Sequence, residues 1–133
     1  MPINTLLQAD ITDKIIGAFF AVYRELGFGF LESVYANALA VELGSRGVVV
    51  RREVPVEVLY KGAGVGTFRF DMLVEGAVLV EIKASEYITE TDERQLLNYL
   101  RATNVEVGLL LHFGPKPKYR RFVYSNSRKP NTQ

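Results

Sequence analysis

Asp71, Glu81 and Lys83 are the residues whose types and spacing point most directly to chemistry. Val78-Leu79-Val80-Glu81-Ile82-Lys83-Ala84 reads as a β-strand, rich in β-branched residues and preceded by Gly76. An unpaired charge in such a strand is costly, yet Glu81 and Lys83 lie two apart and so share one face of the sheet. Asp71 lies on the preceding strand, Thr67 to Val74, across a tight turn at Glu75-Gly76. Two carboxylates and an amine on one sheet face suit a hard divalent cation, Mg²⁺ or Mn²⁺, with the lysine placed to handle a water. A solvated ion pair is the ordinary explanation of a lone Glu-x-Lys. The apolar strand and the aspartate next door argue against it.

The hairpin register follows from the same residues. A two-residue turn would set Phe70 opposite Glu81 and mix charge with apolar side chains on both faces. A shift of one residue, through a three-residue loop or a bulge, sets Asp71 opposite Glu81 and Leu73 opposite Leu79. The other face then reads Phe70, Met72, Val74, Val78, Val80 and Ile82, wholly apolar.

The elements that must carry this hairpin can be placed along the chain. Ile11, Ile15, Ala18, Phe19, Val22 and Leu26 recur at helical spacing and predict a helix over Thr5 to Leu26. Gly27-Phe28-Gly29 breaks it, and a second helix runs from about Phe30 to Arg46, ended by Gly47. Val48 to Tyr60 alternates as a strand in which Pro55 marks an edge or a kink, and Lys61-Gly62-Ala63-Gly64 is a turn. After the two charged strands, Thr89 or Thr91 caps a helix ending near Thr103, with acids in its first turn. Val105 to Phe113 reads as a buried strand, Tyr119 to Tyr124 as a last edge strand, and residues 125–133 as a disordered basic tail. Residues 1–124 then form a single domain of α-α-β-β-β-α-β-β order. Its strand–helix–strand step is a right-handed parallel crossover, giving a mixed sheet flanked by helices.

Composition bounds the function. The 133 residues contain no cysteine, which excludes disulfides and thiolate metal sites. No leader-like segment and no membrane-spanning stretch is visible, so a cytoplasmic protein is the expectation. The net charge of +1 is unevenly spread: residues 1–113 hold 10 Lys/Arg against 15 Asp/Glu, whereas residues 114–133 hold Lys116, Lys118, Arg120, Arg121, Arg128 and Lys129 with no acid. These six are candidates for holding a polyanion, against the alternative of a solubilising terminus. Glu32 opens the second helix; Tyr35 and Leu39 share its core-directed face, and the glutamate is either a site acid or a partner of the helix dipole. Gln95 and Tyr99, at i and i+4, share a face of the helix that follows the Glu-x-Lys strand. His112, the only histidine, has no histidine partner and reads as structural.

Together these residues resemble the GxxExxY proteins, a small family of the PD-(D/E)XK nuclease superfamily. The naming motif stands as Gly29-x-x-Glu32-x-x-Tyr35, the superfamily signature as Phe70-Asp71 followed by Glu81-Ile82-Lys83, and Gln95-x-x-x-Tyr99 is similar to an extra motif of its exonuclease branches. The usual proline before the aspartate is Phe70 here. The resemblance covers roughly residues 8–124. It implies a restriction-endonuclease-like core, with Asp71, Glu81, Glu32 and the Ile82 backbone carbonyl around Mg²⁺ or Mn²⁺. Lys83 would orient or deprotonate the attacking water, and Gln95, Tyr99 and Tyr35 would position substrate. The implied function is hydrolysis of phosphodiester bonds in nucleic acid, with DNA the first expectation and a homodimer or protein partner compatible with it. The alternative is a non-catalytic module that keeps the fold and binds nucleic acid or a partner.

Overall fold

The computed structural model describes residues 7–129. Helices α1 (Ala9–Leu26) and α2 (Glu32–Ser45) precede strands β1 (Val50–Tyr60), β2 (Ala63–Val74) and β3 (Val78–Lys83). Helix α3 (Glu90–Arg101) and strands β4 (Val107–Phe113) and β5 (Pro117–Val123) complete the domain. The five strands form one sheet in chain order, antiparallel except for the β3–β4 pair that α3 connects. The mixed sheet and the element order agree with the expectation. Pro55 does lie on an edge strand, where its missing N–H costs no second ladder.

The sheet is covered on both faces. On one face, Ile15, Phe19 and Val22 of α1 and Tyr35, Leu39 and Leu43 of α2 pack against Met72, Val74, Val80, Ile82, Leu109 and Leu111. On the other, Leu96 and Leu100 of α3 pack against Leu79, Leu110, Val54 and Phe70. Gly108 permits that second layer: a Cβ there would sit 3.1 Å from Leu96 Cδ1, so the missing side chain lets α3 approach β4 closely.

The β2–β3 register is the shifted one, with Leu73 opposite Leu79 and Met72 opposite Val80. A three-residue connection produces it, with Glu75 at φ 53°, Gly76 at φ 65°, and the Ala77 N–H donating to the Val74 carbonyl. One side chain departs from the expected alternation. Phe70 does not join Met72 and Val74; it packs in the α3-side core with Val54 and Leu79. The cause lies on the neighbouring strand. Arg52 pairs with Met72 and Val54 with Phe70, but Glu53 between them takes φ 50°, and the ribbon turns about that residue. The turn expected over residues 61–64 is shorter than predicted, only Lys61 and Gly62 having positive φ before β2 starts at Ala63.

The tail also differs from expectation over its described part. Residues 126–128 form a 3₁₀ turn, and Lys129 Nζ donates to the carbonyls of Thr103 (2.9 Å) and Val105 (2.6 Å). Arg128 stacks over the Tyr124 ring at 4.7 Å. The basic side chains have local partners that their spacing does not reveal. Residues 130–133 of the expected tail lie outside the described residues, as do positions 5 and 6 of the first helix. Among the described residues, no helix is long and apolar enough to cross a membrane.

Candidate active site

The Asp71–Glu81 pair forms where the β2–β3 ladder stops. Beyond Met72–Val80 the backbone pairing gives way to crossed side-chain bonds. The Asp71 N–H donates to Glu81 Oε2 at 2.9 Å, and the Ile82 N–H donates to Asp71 Oδ2 at 2.7 Å. Each carboxylate therefore commits one oxygen to the opposite strand and keeps lone-pair capacity for another ligand.

These acids are held against their ordinary ionisation. Glu81 is only 6% exposed. Burial first, then the Asp71 charge, pushes its carboxyl up to about 8, while the Asp71 N–H and Lys83 pull the other way. Burial also raises Asp71, opposed by its Ile82 hydrogen bond, Lys83 and Arg52. Glu32 stands at the rim on the first turn of α2. Although much of it faces solvent, crowding on one side raises its carboxyl, with Asp71 adding to the effect and Lys83 and the Ala84 N–H opposing it. Asp71 thus raises both Glu32 and Glu81, and Glu32 adds to the effect on Glu81, a concentration of negative charge that a cation would relieve.

Lys83 completes the cluster. Its ammonium lies 3.8 Å from Asp92 Oδ1, both side chains being about four-fifths buried. Asp92 is the third residue of α3, where it also accepts the Thr89 N–H in a capping box. Sequence reasoning passes over Asp92 because a first-turn acid after threonine reads simply as a cap. Tyr99 lies over the same sheet face, stacked on Phe68 at 4.1 Å with the rings 6° apart. Burial raises its hydroxyl, and Glu81 and Asp71 add to this, so it stands in the field of the carboxylates, with the Gln95 side chain beside it.

Tyr35 is placed differently from a substrate-positioning group. It is fully buried, stacked on Phe113 at 4.3 Å, and its hydroxyl donates to the Gly27 carbonyl at 2.5 Å and accepts from the Phe30 N–H at 3.2 Å. Those bonds clamp the loop that delivers Glu32, a loop in which Gly29 takes φ 116°, a conformation that favours glycine.

The six basic candidates separate. Lys118 and Arg120 pair with His112 and Leu110 on β4, which in turn pair with Lys83 and Glu81 on β3. These two cations therefore lie in the same cross-sheet rows as the site, with Arg120 bound to Glu93 at 2.9 Å. Lys116 is exposed in the β4–β5 turn. Arg121 pairs with Leu109, whose side chain faces the α1 side, and donates to the Leu7 carbonyl. Arg128 and Lys129 are engaged as described above. His112 is buried, with Nε2 2.6 Å from the Ser85 carbonyl, consistent with a structural role.

A groove of ≈ 440 Å³ opens beside Asp71, lined by Glu32, Arg52, Glu53, Arg69 and Phe70 among others. Arg52 was invisible as a site residue, since Arg51-Arg52 on an edge strand reads as solvated charge. Among the described residues, no three His, Cys, Asp or Glu side chains are gathered closely enough to hold a metal ion together. Two oxygen-ligand carboxylates with room for water nonetheless match what Mg²⁺ requires, since it keeps several waters and takes one or two carboxylates.

No curated protein matches the chain significantly. Among solved structures, one titled "Crystal structure of SSO0001" is similar, at 19% identity and a TM-score of 0.51 over 87% of this chain. The chain spans 59% of that structure, and the likeness concerns the fold. The family model for the PD-(D/E)XK nuclease superfamily matches residues 9–122, a span that takes in Glu32, the Asp71–Glu81 pair, Lys83 and Tyr99. With the mixed sheet, its flanking helices and the signature residues in their expected elements, the chain belongs to the PD-(D/E)XK nuclease superfamily.

Proposed function

We propose that this protein is a divalent-cation-dependent nuclease of the GxxExxY branch, hydrolysing phosphodiester bonds of nucleic acid, DNA before RNA. The observation that carries this reading is the crossed Asp71–Glu81 pair at the end of the ladder, with Lys83 beside it. Nothing in a hairpin requires a buried acid beside a second, half-buried one that repels it. Asp71 and Glu81, with the Ile82 carbonyl, would hold Mg²⁺ or Mn²⁺, and Glu32 would complete the shell through water. When bound, the cation supplies positive charge and Lewis acidity at the phosphoryl group.

The chain's own groups would do the rest. Lys83, oriented by Asp92, donates to the attacking water or to a phosphoryl oxygen, placing positive charge where negative charge develops. Tyr99, fixed by its stack on Phe68, presents its hydroxyl toward the scissile strand, and Gln95 steadies that hydroxyl. Tyr35 acts from the core by holding the loop before Glu32.

A non-catalytic nucleic-acid or partner-binding module is the second reading, favoured by one observation, the modest net charge of +1. Cleavage assays separate the two. Linear, circular and single-stranded DNA and RNA are incubated with Mg²⁺, Mn²⁺ or chelator. Cation-dependent products that vanish in Asp71→Asn support the nuclease. Binding without cleavage under any condition supports the module.

A further inference from the structure

Resting on the nuclease reading, we propose that the groove between the start of α2 and the β1–β2 ribbon is a phosphodiester-binding track. In it, Arg52 and Arg69 hold the backbone phosphates that flank the scissile one. The groove shares Glu32 and Asp71 with the site, so a strand lying in it passes directly over the carboxylates. Arg52 is held there: one guanidinium nitrogen donates to Asn37 Oδ1 of α2 at 2.9 Å. That bond uses one of five N–H donors and leaves the others for an anion. Arg69 is loosely partnered, its guanidinium 3.9 Å from the Glu53 carboxylate with both side chains about two-thirds or more exposed. Such a pair is worth little and yields readily to a phosphate. The turn of the ribbon about Glu53 separates the two arginines along the groove; Arg52 pairs with Met72, whereas Arg69 pairs with Pro55.

Charge makes the track conditional. Two guanidiniums face the three carboxylates of Glu32, Glu53 and Asp71, a net of −1 when all are ionised. That balance repels a polyanion. A divalent cation reverses it to +1, so phosphate binding and cation binding reinforce each other, and nucleic acid should be held poorly in chelator whatever the total charge of the chain.

The test measures binding rather than turnover. In a Lys83→Ala background, with each reading taken before its slowed cleavage consumes the probe, fluorescence anisotropy follows a short single-stranded DNA oligonucleotide and the matching duplex across salt concentrations. Each titration is run with Mg²⁺ and with chelator. Binding should tighten about tenfold or more with Mg²⁺. The Arg52→Gln/Arg69→Gln protein should lose about tenfold in affinity, and its log–log salt slope should fall by about 1.4 on the single strand and 1.8 on the duplex, as two lost phosphate contacts require. Arg52→Lys/Arg69→Lys keeps the charge and should keep the slope. If the glutamine pair binds as before while the unmodified protein cleaves, the track is wrong and the nuclease reading stands. If the lysine pair falls as far as the glutamine pair, the arginines are structural and the track is wrong. If the unmodified protein neither cleaves nor binds under any cation, the nuclease reading fails and takes the track with it.

Discussion

Glu81→Gln should stabilise the cation-free protein, by an amount that depends on pH. The Glu81 carboxyl ordinarily ionises at 4.5, and burial and Asp71 displace it to about 8 in the fold. Below pH 4.5 it is protonated whether the chain is folded or not, and it costs nothing. As pH rises through the window between those values, the unfolded chain releases its proton and the folded chain does not, so stability is lost by about 1.4 kcal/mol per pH unit. Above pH 8 both states are ionised and the loss levels off near about 5 kcal/mol, an upper figure because neighbouring acids readjust. Glutamine has nearly the same shape and keeps an acceptor for the Asp71 N–H, so it removes the titration and leaves the clasp. At about 3 °C per kcal/mol for a chain this size, the variant should melt up to about 15 °C higher at pH 8–9 and nearly level with the parent at pH 4.5. The assay is thermal and urea unfolding in chelator from pH 4.5 to 9, repeated with Mg²⁺, which should stabilise the parent more than the variant. A variant less stable than the parent at pH 8 in chelator, or a difference that does not shrink toward pH 4.5, refutes the reasoning.

Asp71→Asn should abolish cleavage without loss of cation-free stability, whereas Asp71→Ala should also cost about 1–3 kcal/mol, because the Ile82 N–H loses its acceptor; nuclease assays beside urea titrations distinguish them. Lys83→Ala should retain cation affinity by calorimetry but cleave roughly a hundredfold or more slowly. Tyr35→Phe should keep the Phe113 stack, lose about 1–3 kcal/mol with the two loop hydrogen bonds, and lower the cleavage rate more than it changes nucleic-acid affinity. Lys129→Ala should cost about 1–3 kcal/mol by leaving the Thr103 and Val105 carbonyls unpaired, a loss that urea unfolding would detect and that a passive tail would not produce.

The hairpin was readable because a one-residue slip exchanges whole faces, and only one register kept Met72, Val74, Val78, Val80 and Ile82 clear of Asp71, Glu81 and Lys83. The placement of Phe70 was not readable. It depends on Glu53 at φ 50°, and glutamate carries none of the local signal that glycine or asparagine gives for that conformation. Tyr35 shows the opposite limit. Its helical spacing from Glu32 was plain, but whether a tyrosine one turn along touches a ligand or the core depends on where α2 meets β4, and there it found Phe113. Arg52 escaped notice because the groove that gives it meaning is built from α2, β1 and β2 together. Lys129 escaped because its partners are two carbonyls far back in the chain.

The crossed bonds between β2 and β3 also make the backbone a reporter. The amide protons of Asp71 and Ile82 are each held by the carboxylate of the opposite strand. Anything that draws charge from those carboxylates lengthens or repolarises both bonds at once. Two backbone resonances in a heteronuclear spectrum would thus register occupancy of the site together, before any substrate is known, and a ligand that moved one without the other would be touching only one strand.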